Sequence, residues 1–254
     1  MKKQIIAAVV LSVLLTASAH AESRDFFELV RTGTLQDVKA AISKGADVNS
    51  KGPDGLTPLI AAAAYNENPE VITTLLKAGA SIEARESQHG GTALLWAAAF
   101  NGNPGVITAL LSAGADIKAR NTLEGMTALL WAAQNNQNPE VTATLLKAGA
   151  DIRDRDPSGA TALIAAASNN PNLQEIIILL NDGADVKDED NNGGTALMNA
   201  AGKTGNPEVI VKLLKAGSDA KAKNKKGYTA LDYAKFNRRL AGTDALKELE
   251  EASK

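Results

Sequence analysis

The chain of 254 residues contains no cysteine and only two histidines. The first absence removes disulfides, thiolate nucleophiles and cysteine-type zinc sites together. His20 falls in a stretch expected to be removed on export, which leaves His89 alone. Triads of the Ser-His-Asp or Cys-His kind and multi-histidine metal sites therefore lack parts, and no enzyme, cofactor or metal site is expected. A net charge of strong sign is missing too. Beyond residue 21, where Lys2 and Lys3 no longer count, 25 basic residues (27 − 2) face 29 acidic ones, a balance near −4. Nucleic-acid binding would want a basic, clustered surface, and it is not expected. One basic cluster, Lys221, Lys223, Lys225 and Lys226, reads as a solvated edge.

The start of the chain has its own grammar. Lys2 and Lys3 precede an apolar run, Ile5 to Leu15, and Ala19-His20-Ala21 has the small-x-small form of a cleavage site. Residues 1–21 are expected to be a secretory signal peptide cut before Glu22. The run is shorter than the roughly 20 residues that span a bilayer. No cysteine follows it, which excludes a lipid anchor. The expected destination is a bacterial periplasm or the medium.

What is abundant is repetition. "NENPEVITTLLKAGA" from Asn66 returns as "NGNPGVITALLSAGA" from Asn101, "NQNPEVTATLLKAGA" from Asn136 and "TGNPEVIVKLLKAGS" from Thr204. A threonine marks the period at Thr57, Thr92, Thr127, Thr161, Thr195 and Thr229, and the first five are followed 22 positions on by Gly79, Gly114, Gly149, Gly183 and Gly217. Residues of variable number fall between that glycine and the next threonine, so this segment is a loop. Thr57-Pro58 opens a short helix and small residues continue it, as in Ala61 to Ala64 and Ala97 to Ala99. Asn68-Pro69-Glu70 reads as a second helix start, Val71, Ile72, Leu75 and Leu76 as its apolar face, and Gly79 as its left-handed end. Helix, tight turn, antiparallel helix and glycine-containing loop make one unit. No unit buries its apolar face alone, so units must stack.

"GLTPLIAAA", "GGTALLWAAA", "GMTALLWAA", "GATALIAAA", "GGTALMNAA" and "GYTALDYA", each preceded by a phrase such as "GADVN" or "GADIKA", resemble ankyrin repeats. The tetratricopeptide repeat has a similar period but another pattern. The resemblance implies an all-α ankyrin-repeat solenoid over 22–254, with an N-terminal cap at 25–51. Internal repeats follow at 52–85, 86–120, 121–155, 156–190 and 191–223, with a C-terminal capping repeat at 224–254. Thr34 to Asp37 resembles a capping box in the first unit. Two departures stand out. Where the family has histidine in Thr-Pro-Leu-His, this chain has Ile60, Leu95, Leu130, Ile164, Met198 and Asp232. The turn between helices carries an Asn-x-Asn-Pro sequence.

The family pattern implies a binding scaffold that uses a concave face of inner helices and finger-loop tips. Three sets of positions are expected at the surface. The residue before each threonine includes Gly91, Met126 and Ala160; the two after the repeated Ala-Ala include Ala64/Tyr65, Ala99/Phe100 and Gln134/Asn135; the finger tips include Asp54 and His89. Aromatic residues are few, and four of them, Tyr65, Trp96, Phe100 and Trp131, fall on inner helices of three consecutive repeats. Trp96 and Trp131 hold equivalent places, one helix spacing of about 10 Å apart. With Met126 these five form the candidate partner-binding site. His89 reads as a solvated loop residue, and Asp151 to Asp156 with Arg153 and Arg155 as a charged finger surface. Asp188-x-Asp190-x-Asn192-Gly193 begins like a calcium loop but has Asn199 at its twelfth place, so a solvated loop is expected. The expected function is a monomeric protein–protein interaction scaffold with an unidentified protein partner and no membrane association once mature. The alternatives are a small-molecule or glycan-binding accessory factor for stress defence, or a secreted effector.

Overall fold

The computed structural model describes residues 26–52, 54–203 and 206–254, so the expected export signal over residues 1–21 lies outside the described part. Helices follow in antiparallel pairs. The first members are α1 (residues 26–32), α3 (Pro58–Tyr65), α5 (Ala93–Phe100), α7 (Ala128–Asn135), α9 (Ala162–Asn169), α11 (Ala196–Lys203) and α13 (Ala230–Ala234). The second members are α2 (Leu35–Ser43), α4 (Pro69–Lys77), α6 (Pro104–Ser112), α8 (Pro139–Lys147), α10 (Leu173–Asn181), α12 (Pro207–Lys215) and α14 (Asp244–Ala252). From α3 to α13 each first helix packs on the next, and from α2 to α14 each second helix does the same. Two helical layers result. Among the described residues there is no β-strand, only isolated bridges at Arg155–Thr161 and Glu189–Thr195.

The layers differ because their sequences differ. The first helices are apolar round most of their surface, α3 and α5 on nearly every side: in α3 all residues but Tyr65 are buried, and α5 buries Ala93 to Leu95 and Ala97 to Ala99. An all-round apolar helix requires cover on all sides, and the alanines let neighbours approach closely. The second helices are amphipathic. α4 buries Val71, Ile72 and Leu75 and turns Glu70 and Lys77 to water.

Ends are set locally. Asn68, Asn103, Asn138, Asn172 and Asn206 each accept a hydrogen bond from the backbone N–H two residues on, at the N-terminus of a second helix. Gly79 closes α4 at φ 93°, a conformation that penalises any Cβ. Thr34 and Asp37 form the expected capping box. The repeated threonine is less uniform than its sequence suggests. Thr57, Thr127, Thr195 and Thr229 accept from the backbone three residues on, whereas Thr92 and Thr161 make no such bond.

The Asn-x-Asn-Pro turn is a pair of rails between repeats. Buried Asn101 donates from Nδ2 to the carbonyls of Ala63 (3.0 Å) and Asn66 (2.9 Å), while its Oδ1 accepts from Asn103 N–H (2.9 Å). Asn66, Asn136 and Asn170 repeat this arrangement with their own preceding repeats. Outside it, Asn103, Asn138, Asn172 and Asn206 donate to Glu67, Gly102, Gln137 and Pro171 carbonyls. Carbonyls left open at the ends of the first helices thus find donors one repeat away. Ile60, Leu95 and Leu130, standing where the family has histidine, are fully buried.

One position breaks the apolar pattern of the second helices. Val71, Val106, Val141 and Val209 are all fully buried, and the equivalent residue in α10 is Glu175, buried as completely. Its neighbour Thr142 on α8 stands where other repeats have isoleucine. Burial pushes the Glu175 carboxyl up to about 8, against a weaker opposing influence of Thr142. Neither carboxyl oxygen nor the Thr142 hydroxyl has a hydrogen-bond partner of good geometry.

Candidate functional site

The fingers between α4 and α5, and between α6 and α7, are one residue longer than those that follow: 13 positions separate Gly79 from Thr92 and Gly114 from Thr127, against 12 from Gly149 to Thr161. The five fingers after the first each fold around a polar side chain, where the first has Gly52. Asn121, Asp156, Asp190 and Asn224 accept from backbone N–H groups of their own hairpins. In the first long finger that part falls to Glu86. Its carboxylate accepts from the N–H groups of Gln88 (2.5 Å), His89 (2.7 Å) and Gly91 (3.0 Å). Burial alone would raise its pKa, but these donors from Gly91, Gln88 and His89, with the His89 ring, hold it below its usual value.

The fingers are tied to one another. Arg85 donates to Gly90 and Arg120 carbonyls, Arg120 to those of Gly125 and Arg155, and Arg155 to those of Gly159 and Glu189. Arg120 also pairs with Asp154 at 2.6 Å, and Arg155 with Asp188. The charged finger surface read from Asp151 to Asp156 is therefore a chain of links rather than loose charge. A backbone ladder accompanies it: Ser87 N–H donates to Asp54, Thr122 to His89, Asn191 to Ser158 and Lys225 to Asn192. The equivalent residue in the remaining finger is Pro157, which has no N–H to give. Among the described residues no backbone hydrogen bond joins that finger to the one before it.

At this interruption lies a cavity of about 400 Å³. Trp96, Phe100 and Trp131 line it from the first helices, and Met126, Glu124, His89 and Asp156 from the fingers, with Gln134 and Asn135 completing the wall. The rings pack on one another. Trp96 and Trp131 meet edge to face, centroids 6.1 Å apart at 72°; Phe100 lies 5.3 Å from Trp96 and 6.3 Å from Trp131. The indoles thus lean together, their centroids closer than the helix spacing expected for them, although Ala61 before and Ala165 after leave room on their outer sides. Gly91 makes room for Trp96, since a Cβ there would come within 2.7 Å of Nε1.

Of the five candidate residues, Trp96, Phe100, Met126 and Trp131 share the cavity, while Tyr65 stands apart with the Arg31 guanidinium 4.6 Å over its ring. Tyr65 (48%) and Phe100 (53%) are exposed. Met126 and Trp131 are buried and form a floor rather than a presented surface. The expected surface column before the threonine is likewise covered at Gly91, Met126 and Ala160, as are Ala64 and Ala99, because fingers and rings close over them. His89 was expected in solvent. It is half-buried, edge-on to Trp96 at 6.2 Å, with Nδ1 3.7 Å from Glu86 Oε1. Sequence reasoning missed Glu86; its signal was a side chain one methylene longer where other fingers have Asn121, Asp156, Asp190 and Asn224. Of the calcium-like loop, Asp188 is held by Arg155 and Asp190 folds its own finger.

Models of ankyrin repeats match residues 26–121, 95–190 and 179–234, and the chain belongs to the ankyrin-repeat family. It is similar to the ankyrin repeat domain of Bcl-3, a member of the IkappaB protein family, at 30% identity and TM-score 0.65, over 89% of this chain and 97% of that one. It is also similar to the ankyrin repeat domain of human ASB11, at 25% identity and TM-score 0.76, over 89% of this chain and 96% of that one. Comparison with curated proteins gives no significant match. Ankyrin repeats generally mediate protein–protein interaction. Among the described residues no helix is long and apolar enough to cross a membrane.

Proposed function

We propose that this chain is an exported, monomeric scaffold that binds one protein partner on the face built by its first helices and fingers. The carrying observation is the unequal distribution of aromatics on that face. Tyr65 and Phe100 are exposed in consecutive repeats, Phe100 at the cavity and Tyr65 one repeat before it, and the same column continues as Asn135, Asn169 and Lys203. Large rings held on rigid helices are the usual anchors of an interface, because little side-chain freedom is lost when they are covered. Periplasmic residence rests on the leader-like residues 1–21, and release of the protein from intact cells by osmotic shock tests it.

The interaction is tested by crosslinking capture from periplasmic extract with residues 22–254 as bait, against a bait carrying Tyr65→Ser and Phe100→Ser. Both substitutions are at exposed places, so helix content should be unchanged. A protein retained by the native bait and lost with the control supports this face; equal capture by both moves the interface elsewhere.

A further inference from the structure

The charged groups that line the aromatic cavity share one sign. Glu124 and Asp156 are carboxylates, neither Lys nor Arg lines the wall, and His89 is the one other titratable group. Each carboxylate is anchored through a single oxygen. Glu124 Oε2 accepts from Asn121 Nδ2 at 3.2 Å, and Asp156 Oδ1 from Ser158 Oγ at 2.6 Å and Ala160 N–H at 2.9 Å. Glu124 Oε1 and Asp156 Oδ2 take part in no hydrogen bond or ion pair among the described residues. These two residues belong to adjacent fingers, Asp156 to the one that carries Pro157 and Glu124 to the one before it, between which the backbone ladder is interrupted. Free acceptors of negative charge therefore flank the gap, with the Trp96 and Phe100 rings beside them.

We infer that the cavity receives an arginine side chain of the partner protein. A guanidinium is planar, always charged and weakly hydrated. It stacks on aromatic faces while its N–H groups fork toward carboxylates. The volume suits one long side chain and leaves no room for a folded element. A saccharide fits less well: Trp131 is buried to 6% exposure and meets Trp96 and Phe100 edge-on, so the rings offer no broad flat platform for a sugar face. The inference rests on the scaffold reading but names its chemistry.

The chain has two tryptophans and both line the cavity, so two indole N–H resonances report on it directly. Titration of the folded, 15N-labelled protein with N-acetyl-arginine amide should move both in a saturable manner, with a midpoint in the millimolar range appropriate to one side chain. The citrulline counterpart, which keeps the shape and loses the charge, should bind at least about tenfold more weakly. The Glu124→Gln/Asp156→Asn double variant should lose a similar factor. Asn121 and Asn224 already do the work of Asp156 in other fingers, so the variant keeps its fold. Equal binding of citrulline, an unchanged midpoint in the double variant, or shifts produced by N-acetylglucosamine and not by the arginine amide would each overturn the inference. The two readings fail separately. A partner captured equally by native and double-variant baits keeps the scaffold and removes the arginine. Arginine titration without any captured protein keeps the cavity and removes the scaffold.

Discussion

Because the repeats are near copies, every residue can be compared with its equivalents, and two columns depart from the pattern in opposite ways. In the first-helix layer Trp96 and Trp131 stand between Ala61 and Ala165, in a column that goes on to Asn199 and Tyr233. In the second-helix layer Glu175 replaces the valine found at Val71, Val106, Val141 and Val209. The tryptophans stand on the open side, where longer fingers and Gly91 make space, and a cavity forms around them. Glu175 stands on the closed side, where nothing gives way, and a carboxyl group is buried without a partner. The same freedom to vary one repeat thus builds a surface on one side and weakens the stack on the other.

The comparison breaks most directly at a position where both layers follow the rule. Leu110 in α6 is fully buried and has no polar alternative, so Leu110→Ala should cost about 2–5 kcal/mol. Site-resolved hydrogen exchange should show the loss concentrated near α6, because stability in stacked arrays passes mainly between neighbours. A uniform loss across every repeat would contradict this.

Glu175→Val should act in the opposite direction. The folded carboxyl titrates near 8 and its ordinary value is 4.5. Between these values the unfolded chain has released a proton that the folded one retains. Stability is therefore full below about pH 4.5, falls as pH rises, and is lowest once pH has passed 8. Replacing Glu175 with valine should raise stability at pH 9 by roughly 2–4 kcal/mol and flatten that slope. Urea midpoints at pH 5 and pH 9 for both proteins check the sign; a slope unchanged by the substitution would remove Glu175 as its source.

Asn101→Ala sits between the two columns. It removes two donors to buried carbonyls and one acceptor, and about 2–3 kcal/mol should be lost. Asn101→Asp should not rescue it, since a carboxylate cannot donate. The smallest change is Gly91→Ala, which crowds Trp96 at 2.7 Å and should cost about 1 kcal/mol. Its signature is optical: the tryptophan emission should shift while helix content stays the same.

Most of the architecture could be read from the chain because its punctuation is stereochemical. Gly79 adopts a conformation that few residues accept, Pro69 starts a helix, and Asn68 caps it. Such demands recur in most of the repeats, with Leu173 in the place of the proline in α10 and threonine caps in the end units, and survive without knowledge of the neighbours. The rails did not show, because Asn101 beside Pro104 reads as a turn residue and its real partners lie a whole repeat away. Glu175 was concealed by its place in the first turn of a helix, where an acid is ordinarily welcome. The site was legible in its membership and less so in its depth. Trp131 and Met126 were recognised as neighbours, but how far a ring sinks depends on finger length and on Gly91, and those determine the floor and the rim.

Pro157 gives the array a mechanical property that its helices do not suggest. A row of cross-linked fingers resists bending as a strip of knitted fabric does, stitch by stitch, and here one stitch is dropped. There, among the described residues, Arg120 alone holds the two fingers together, through the Arg155 carbonyl and Asp154, so bending at that seam should load one side chain and change the space between Glu124 and Asp156. A guest that bridges the two carboxylates would restore the missing stitch and brace the strip, so that occupancy of one small cavity would be felt as stiffness along the whole finger edge.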